Sequence, residues 1–189
     1  SRNACTQLKI PEVAMNWDSV SRINHTYSHL VEGEMKVTNQ KKSGRCWGFA
    51  GLNLLRIELG KKNNIKQFEF SQNYFMFWDK LEKSNYFLEN ILSTLNEPLE
   101  GRLVMHLLTN PVEDGGQWDM FVNLIEKYGV VPKSIMPESY QSSNSYVMNK
   151  RLTNKLREFA HKLRTDFKAG EKIKNLRDQK EAMIETIYR

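Results

Sequence analysis

The amino-acid sequence predicts a predominantly α-helical protein with a packed core. Apolar residues recur at helical spacing in several separate stretches, and serine, glycine and proline residues stand where those stretches would begin or end. No stretch alternates polar and apolar residues well enough to predict a long strand. The chain has 189 residues, of which 40% are hydrophobic and 11% aromatic, so it is long enough to bury a core of its own.

The first long helix is predicted to begin at Cys46. Apolar residues between positions 47 and 59 fill nearly every face of this helix, which is typical of a helix buried on all sides. Gly60 is a residue type that commonly follows a helix. We therefore expect a central helix that ends at Gly60.

The next helical region runs from Ser71 to the segment before Pro98. Ser71 is a typical N-cap residue, and the Met and aromatic residues of NYFMFWDKL are interpreted as core. The pattern predicts two helices that meet near Ser84. Pro98 interrupts the pattern, and a further helix is expected over residues 102–109.

Three helices are predicted in the remainder of the chain. Residues 118–128 form an amphipathic pattern that Gly129 would end, and Gly170 is expected to separate two helices of the tail. The first tail helix carries an apolar stripe made by Leu152, Leu156, Phe159, Ala160, Leu163 and Phe167. Residues 151–189 contain eleven Lys and Arg against six Asp and Glu, so most of the net charge of +6 lies there.

Composition excludes several classes of protein. Two cysteines, Cys5 and Cys46, are too few for a disulfide framework and favour a reducing, cytoplasmic setting. No stretch approaches the roughly 20 apolar residues that cross a bilayer, so no membrane partner is predicted. The net positive charge permits nucleic acid as a partner without demonstrating it.

His25 and His29 could face one metal ion, but no third ligand is nearby, so neither a metal nor another cofactor is predicted.

Cys46 stands between a glycine-bearing polar loop and the first long helix. The free N–H groups and the dipole of a first helical turn favour a thiolate, which suits a nucleophile. Gln40 lies six residues earlier, where the loop can bring its side-chain amide back beside the thiol. That amide and the Cys46 backbone N–H would then form a two-donor oxyanion hole. The alternative is a buried structural cysteine.

The pattern Q-x-x-x-G-x-C-W over residues 40–47, followed by Ala50-Gly51, resembles the nucleophile signature of papain-like cysteine peptidases. The segments TNQKKSGRCW, FEFSQNYFMFWDKLEKSNYF, DGGQWDM and EKYGVVPKSIMPESY resemble the bleomycin hydrolase and aminopeptidase C branch, in the same order, over about residues 30–189. The resemblance implies an α+β papain-like fold, of which this chain would form a mainly helical part. It also implies that Cys46 is the nucleophile and that Gln40 contributes to the oxyanion hole.

The same resemblance implies the other residues of the site. Gly115 and Gly116 would line the substrate cleft, and Trp47 would pack behind the site. Because glycine lets a substrate backbone approach without a Cβ, replacing Gly116 with a β-branched residue should impair substrate binding more than folding. Secreted papain-like enzymes have a disulfide between the two neighbourhoods that here contain Ser43 and residues 113–114. Because both cysteines are absent, the comparison also favours a reducing compartment.

The mechanism also needs a histidine, typically about 130–150 residues beyond the cysteine, and a residue that orients it. His106 is expected near the core of its helix. His161 lies on a basic amphipathic helix with no orienting asparagine in a suitable setting. The resemblance places the histidine and asparagine further downstream, after a large helical insertion. We therefore expect the chain to be the N-terminal part of a longer enzyme and to be inactive alone.

These observations predict three parts: an N-terminal arm over residues 1–35, a nucleophile-bearing subdomain over 36–137, and the start of a basic helical insertion over 138–189. The predicted function is a cysteine-type aminopeptidase that hydrolyses N-terminal residues of peptides by thiol acyl transfer. The resemblance further implies a homo-oligomer in the form of a hexameric ring. The alternatives are a non-catalytic relative that binds peptide or nucleic acid, and a purely structural subunit.

Overall fold

The structure, a computed structural model, describes residues 6–29 and 35–189, and the chain divides into two compact units between residues 32 and 33. The first unit contains two short helices, α1 (Ile10–Ala14) and α2 (Trp17–Ser21), and neither helix has a buried residue. Asn16 caps α2, because its side chain accepts a hydrogen bond from the Ser19 N–H at 3.1 Å. The start of α2 is therefore fixed by a hydrogen bond between two residues that are three positions apart.

The second unit is built from helices. They are α3 (Cys46–Asn63), α4 (Gln72–Ser93), α5 (Arg102–Thr109), α6 (Trp118–Tyr128), α7 (Tyr140–Ser143), α8 (Tyr146–Lys168) and α9 (Ile173–Tyr188). Within the described ranges, extended pairing is limited to isolated bridges at Lys42–Asn144 and Phe70–Pro132. The same ranges contain no helix with the length and apolar character needed to pass through a membrane. The prediction of a mainly helical chain is confirmed.

The helix α4 is the centre of the second unit, since it contacts α3, α5, α6, α8 and α9. Its first half contributes Phe75 to an apolar cluster with Leu52 of α3 and Phe121 of α6. Its second half contributes Leu88 and Ile91 to a larger cluster, whose buried members from α8 and α9 include Leu156, Phe159, Leu163, Leu176 and Met183. The helix therefore joins both parts of the core.

Two predictions for α3 are wrong. Leu54 and Leu55 are 57% and 36% exposed, so α3 is not covered on all sides in this chain. The helix also continues three residues past Gly60. Asn64 takes the left-handed conformation after the helix, with φ of 55°, which asparagine tolerates better than most residues. Gly60 is instead buried inside the helix, where its lack of a Cβ makes room for the end of the Met35 side chain.

The predicted break near Ser84 is also wrong, because residues 72–93 form one helix. The N-cap is confirmed: Ser71 Oγ accepts a hydrogen bond from the Tyr74 N–H at 2.9 Å. Ser84 is fully buried, and its hydroxyl donates to the Lys80 carbonyl at 2.7 Å, so its polar group is satisfied without ending the helix. The other predicted boundaries are confirmed at Pro98, at residues 102–109, at Gly129 and at Gly170.

Helix α8 packs on α4 through the predicted apolar stripe, and α9 joins the same cluster through Leu176 and Met183. Arg164 of α8 is buried and donates to the Thr94 carbonyl at 2.8 Å and to the Glu97 carbonyl at 2.5 Å. These bonds satisfy carbonyl groups at and beyond the end of α4. Lys180 of α9 pairs with Glu89 of α4 at 2.8 Å. The boundary that we predict at residue 137 stays a prediction.

Candidate active site

Cys46 is the first residue of α3, and its side chain is exposed. The backbone N–H groups of a first helical turn have no partner within the helix, so they can face a ligand or an anion. The predicted placement of Cys46 at a helix N-terminus is therefore confirmed. Its role as nucleophile stays a prediction.

Arg45, the N-cap residue of α3, anchors the loop before the helix. Its guanidinium is buried and makes two bonds to Glu138, at 3.0 and 2.8 Å, while its Nε donates to Ser43 Oγ at 2.8 Å. Burial alone would raise the pKa of Glu138, but the hydrogen bonds from Arg45 and Ser142 lower it below its usual value. The charge of Arg45 is compensated by Glu138, so this residue fixes the loop rather than acting on the thiol.

The loop that carries Gln40 is held at two points. The Ser43 hydroxyl donates to the Gln40 carbonyl at 2.8 Å, and the Lys42 N–H donates to the Ser143 carbonyl at 3.0 Å. In the part of the chain that the structure describes, the side-chain Oε1 of Gln40 is buried and has no hydrogen-bond partner. A buried, unsatisfied amide oxygen is uncommon and indicates a group that is not placed for stability alone. The approach of this amide to Cys46 stays a prediction.

The glycine-bearing loop over residues 114–116 lies against the start of α3. Trp47 Nε1 donates to the Asp114 carbonyl at 2.7 Å, and the Gly44 N–H donates to Asp114 Oδ2 at 3.1 Å. A Cβ on Gly116 would lie 2.5 Å from Cζ2 of Trp47, whereas a Cβ on Gly115 would meet nothing within 4 Å. The fold therefore brings Trp47 and Gly116 into contact beside Cys46, and leaves open space at Gly115.

Two lysines of α4 hold this loop from the other side. Lys80 Nζ donates to the Glu113 carbonyl at 2.8 Å and to Asp114 Oδ1 at 2.7 Å. Lys83 Nζ donates to the Glu113 carbonyl at 2.8 Å and to the Gly115 carbonyl at 2.7 Å. The two lysine side chains are only 7% and 14% exposed. Together, Lys80 and Lys83 form what we call the lysine clamp.

The lysine clamp belongs to a buried network of charged groups. Burial raises the pKa of Asp79, although Lys83, at 2.9 Å, acts in the opposite direction. Burial lowers the pKa of Lys80, against the influence of Asp114. Burial would raise the pKa of Asp114, but hydrogen bonds from Lys80, Ser145 and Asn149 lower it well below its usual value. Asp114 is therefore held as a carboxylate by its neighbours.

This network joins the two neighbourhoods that a disulfide would connect in a secreted papain-like enzyme. The bond from the Gly44 N–H to Asp114 links the loop after Ser43 directly to residues 113–114. The lysine clamp then ties residues 113–115 to α4. The structure thus stabilises this part of the site through hydrogen bonds and buried charge.

Sequence reasoning missed the lysine clamp. Lys80 and Lys83 occur in a segment rich in Met and aromatic residues, which we interpret from the sequence as core. The spacing of Lys80 is a usable signal that this lysine lies on the buried face of the helix. It stands four residues from both Met76 and Ser84, which are buried. A lysine on the buried face of a helix needs an acidic or carbonyl partner, and its presence there could have indicated this network.

The histidines do not complete the site within residues 35–189. His106 is exposed, so its predicted position near the core is wrong; Val104 is the fully buried residue of α5 instead. His161 is exposed and lines a groove with Leu108 and Arg157. No hydrogen bond joins either histidine to Cys46 in these residues. No group of three potential ligands occurs among the described residues of the chain, which include His25 and His29.

We expect Gly116→Ala to destabilise the protein, in contrast to the sequence-based expectation that binding would suffer more than folding. The added Cβ would press on the Trp47 ring, which is held by its bond to Asp114, and overpacking of this kind costs about 1–3 kcal/mol. Gly115→Ala is the matched control, because its Cβ would meet open space. Equal urea-unfolding free energies for the two variants would contradict the predicted packing of Gly116.

Comparison with known proteins finds similarity along the whole chain. The sequence profile of the peptidase C1-like family matches residues 1–189. Bleomycin hydrolase from Oryctolagus cuniculus is 45% identical over 192 residues, covering 100% of this chain and 69% of that protein. Aminopeptidase C from Listeria innocua is 51% identical over 170 residues, covering 90% of this chain and 38% of that protein. The crystal structure of PepW from Lactobacillus rhamnosis HN001 matches with a TM-score of 0.95 and 46% identity, covering 100% of this chain and 42% of the PepW chain.

Proposed function

The chain belongs to the peptidase C1-like family, and we propose on that basis that it carries the nucleophile of a cysteine-type aminopeptidase acting on peptides. The papain-like fold class agrees with the TM-score of 0.95 to PepW. The observation that carries the proposal is the exposed thiol of Cys46 at the start of α3, beside the contact between Trp47 and Gly116. An accessible nucleophile thus adjoins a loop with space for a peptide.

In the proposed reaction, the Cys46 thiolate attacks the carbonyl carbon of the substrate's N-terminal residue. A C–S bond forms and the carbonyl oxygen becomes an oxyanion, which the Cys46 N–H and the Gln40 side-chain amide would stabilise. Collapse of this intermediate breaks the C–N bond, and the leaving amine takes a proton. Water then hydrolyses the thioester, which releases the amino acid and restores the thiol.

The glycine loop would position the peptide. Lys83 already binds the Gly115 carbonyl, which fixes the plane of that peptide group. Open space at Gly115 lets an extended substrate approach without meeting a Cβ. The lysine clamp therefore acts in the proposal as a support that fixes the cleft wall relative to Cys46.

The proton donor for the leaving amine is not supplied by His106 or His161 in this proposal. Both histidines are exposed on other helices, and neither is hydrogen-bonded to Cys46. The chain spans 38% of the Listeria aminopeptidase C and 42% of PepW. We assign the histidine and the orienting asparagine to the portion of such relatives that this chain does not cover.

A peptide-like electrophile tests the proposed function. In an alanyl vinyl sulfone, the thiolate adds to the β-carbon and the α-carbon takes a proton from water, so no leaving-group proton is needed. We expect saturable labelling of Cys46, at least about 10-fold faster than labelling by ethyl vinyl sulfone, because the cleft orients the reagent. Cys46→Ser is the control. Equal rates for the two reagents, or labelling at another residue, would contradict a peptidase cleft at Cys46.

The proposed compartment is the cytoplasm. The support is chemical: Cys46 is a free and exposed thiol, and Ser43 and residues 113–114 stand where secreted papain-like enzymes have a disulfide. A thiol nucleophile of this kind works in its reduced form. Fractionation of the source cells with an antibody to the protein would test this assignment.

The proposed assembly is a homo-oligomer, for which the family resemblance implies a hexameric ring. Exposed apolar side chains, such as Leu54 on α3 and Val147 on α8, offer surface that self-association could cover. Sedimentation velocity would give the number of copies.

Nucleic-acid binding through the basic tail stays a prediction. Ion pairs within the tail, and between the tail and α4, argue against it. Lys162 pairs with Asp166, and Arg177 and Lys180 both contact Glu89, so part of the positive charge is compensated within the protein. Among the described residues, we find no observation that favours a non-catalytic binding module over the peptidase.

A further inference from the structure

A series of hydrogen bonds connects Glu138 to the loop before α3. Glu138 accepts from both terminal nitrogens of the Arg45 guanidinium, at 3.0 and 2.8 Å. The Nε of Arg45 donates to the Ser43 hydroxyl at 2.8 Å, and that hydroxyl donates to the Gln40 carbonyl at 2.8 Å. Arg45 and Ser43 are only 3% and 8% exposed, so water competes little for these bonds. We call Glu138, Arg45 and Ser43 the Glu138 network.

The Glu138 network contacts the two places from which the oxyanion donors are predicted to come. Arg45 is the N-cap of α3, and its carbonyl accepts from the Phe49 N–H at 3.0 Å. It directly precedes Cys46, whose backbone N–H is the first predicted donor. Ser43 binds the backbone of Gln40, whose side-chain amide is the second. A displacement of Arg45 would therefore move the two donors relative to each other.

Gln40 depends on Ser43 for its position. Among the residues that the structure describes, the bond from the Ser43 hydroxyl is the one hydrogen bond that Gln40 makes, and the Oε1 of its side chain is buried without a partner. The next residue, Lys41, has φ of 53°, a left-handed conformation that a side chain with a Cβ disfavours. Such a conformation persists where the surrounding contacts impose it. The Ser43 hydroxyl is one of these contacts.

We propose that Ser43 is a positioning residue for the oxyanion hole, and that Arg45 and Glu138 act through it. The hydroxyl holds the Gln40 peptide group, Arg45 orients the hydroxyl, and the Glu138 carboxylate fixes Arg45. Glu138 lies 93 positions beyond Arg45, so the segment before α7 helps to set the oxyanion hole. This inference rests on the proposed function, since it needs Gln40 as an oxyanion donor.

The test compares two reactions of Cys46 in the 189-residue chain. Acylation by an alanyl p-nitrophenyl ester passes through an oxyanion, whereas alkylation by iodoacetamide displaces iodide and forms no oxyanion. The ratio of the two second-order rates therefore reports the oxyanion hole, because changes in the reactivity of the thiol cancel. Cys46→Ala gives the background for both reagents.

Gln40→Ala should lower this ratio by about 10²-fold or more, since removal of one oxyanion donor commonly costs about 10²–10³-fold. Ser43→Ala should lower it by about 10-fold, because a displacement of roughly 1 Å can cost up to about 10²-fold. Ser93→Ala is the matched control. The Ser93 hydroxyl also donates to the carbonyl three residues earlier, at 2.9 Å, but it does so at the end of α4. This control should keep the parent ratio.

The double variant Gln40→Ala/Ser43→Ala distinguishes positioning from a general structural role. If Ser43 acts through Gln40, its substitution should change the ratio by less than about 2-fold once residue 40 is alanine. A general loosening of the loop would lower the ratio again in the double variant. Glu138→Gln keeps the shape of the side chain and removes its charge, so it should act in the same direction as Ser43→Ala and likewise have little effect in the Gln40→Ala background.

The outcomes separate this inference from the proposed function. A parent-like ratio in Gln40→Ala would overturn the oxyanion role of Gln40 and the role of Ser43 with it. A ratio that falls in Gln40→Ala but not in Ser43→Ala, or that Ser43→Ala lowers equally in both backgrounds, would overturn only the positioning role. Cys46 as the nucleophile is tested independently by the vinyl sulfone labelling.

Discussion

Asp114→Ala should lower the free energy of unfolding by about 3–5 kcal/mol, because it leaves the buried Lys80 ammonium without its carboxylate. The substitution also removes the acceptor for Ser145, Asn149 and the Gly44 N–H. The loss should matter most at Ser145, which is buried, because water cannot easily replace the missing acceptor there, whereas Gly44 is exposed. The loop that carries Gly115 should loosen as a result.

Urea unfolding monitored by circular dichroism gives this free energy. Glu158→Ala is the control, because its pair with Lys155 is on the surface and should contribute little. Replacing both partners, as Lys80→Met/Asp114→Leu, should restore the part of the loss that comes from the unpaired Lys80 ammonium, although Ser145 and Asn149 still lack their acceptor. A single Asp114→Ala variant as stable as the control would show that the Lys80–Asp114 pair does not support this loop.

The same carboxylate predicts a dependence on pH. The folded-state pKa of Asp114 is lowered, so its contribution to stability is complete above the unfolded value of about 3.9 and is lost as the pH falls below that value. The difference in unfolding free energy between the parent and Asp114→Asn should therefore shrink between pH 5 and about pH 2. Comparing the two proteins cancels the other titrating groups. A difference that stays constant over this range would contradict the assignment.

The second large effect concerns catalysis: the 189-residue chain is expected to have essentially no peptide turnover. Departure of an amine needs a proton, and general acid–base assistance is commonly worth about 10²–10⁴-fold. Members of a catalytic unit act together, so loss of the base should remove nearly all activity. Neither His106 nor His161 is hydrogen-bonded to Cys46.

Peptide hydrolysis followed by mass spectrometry measures this turnover, with Cys46→Ala as the background. His161→Ala should behave as the parent chain does. Robust hydrolysis that disappears in His161→Ala would show that His161 is the base, and would overturn the assignment of the base to a region outside this chain.

The parts of the fold that could be predicted from sequence are those set by local chemistry. Ser71, Gly129 and Gly170 start or end helices through the conformation and hydrogen bonds of adjacent residues. The structure confirms the helix boundary beside each of them. Gly60 and Ser84 misled because their roles depend on tertiary contacts. Gly60 makes room for Met35, and Ser84 is enclosed by the core of the second unit.

The candidate site divides in the same way. The start of α3 at Cys46 follows from the sequence around it, and the structure confirms that position. The spacing of Lys80 could have indicated a buried lysine that needs a partner, but the partners themselves could not be predicted, because Lys80 and Lys83 meet the glycine loop across 34 and 32 positions of the sequence. Sequence periodicity shows which face of a helix is buried but not which partner lies against it.

The most direct test of the central claim, that Cys46 is an acyl-accepting nucleophile, is acylation by an aminoacyl p-nitrophenyl ester. The nitrophenolate leaves without needing a proton, so the reaction does not require a general acid. The protein is mixed with the ester, quenched in acid, digested and analysed by mass spectrometry. We predict one acyl group per chain, bound to Cys46 and absent from Cys46→Ala. Acylation that persists in Cys46→Ala, or that proceeds no faster in the folded chain than in the urea-unfolded chain, would contradict the claim.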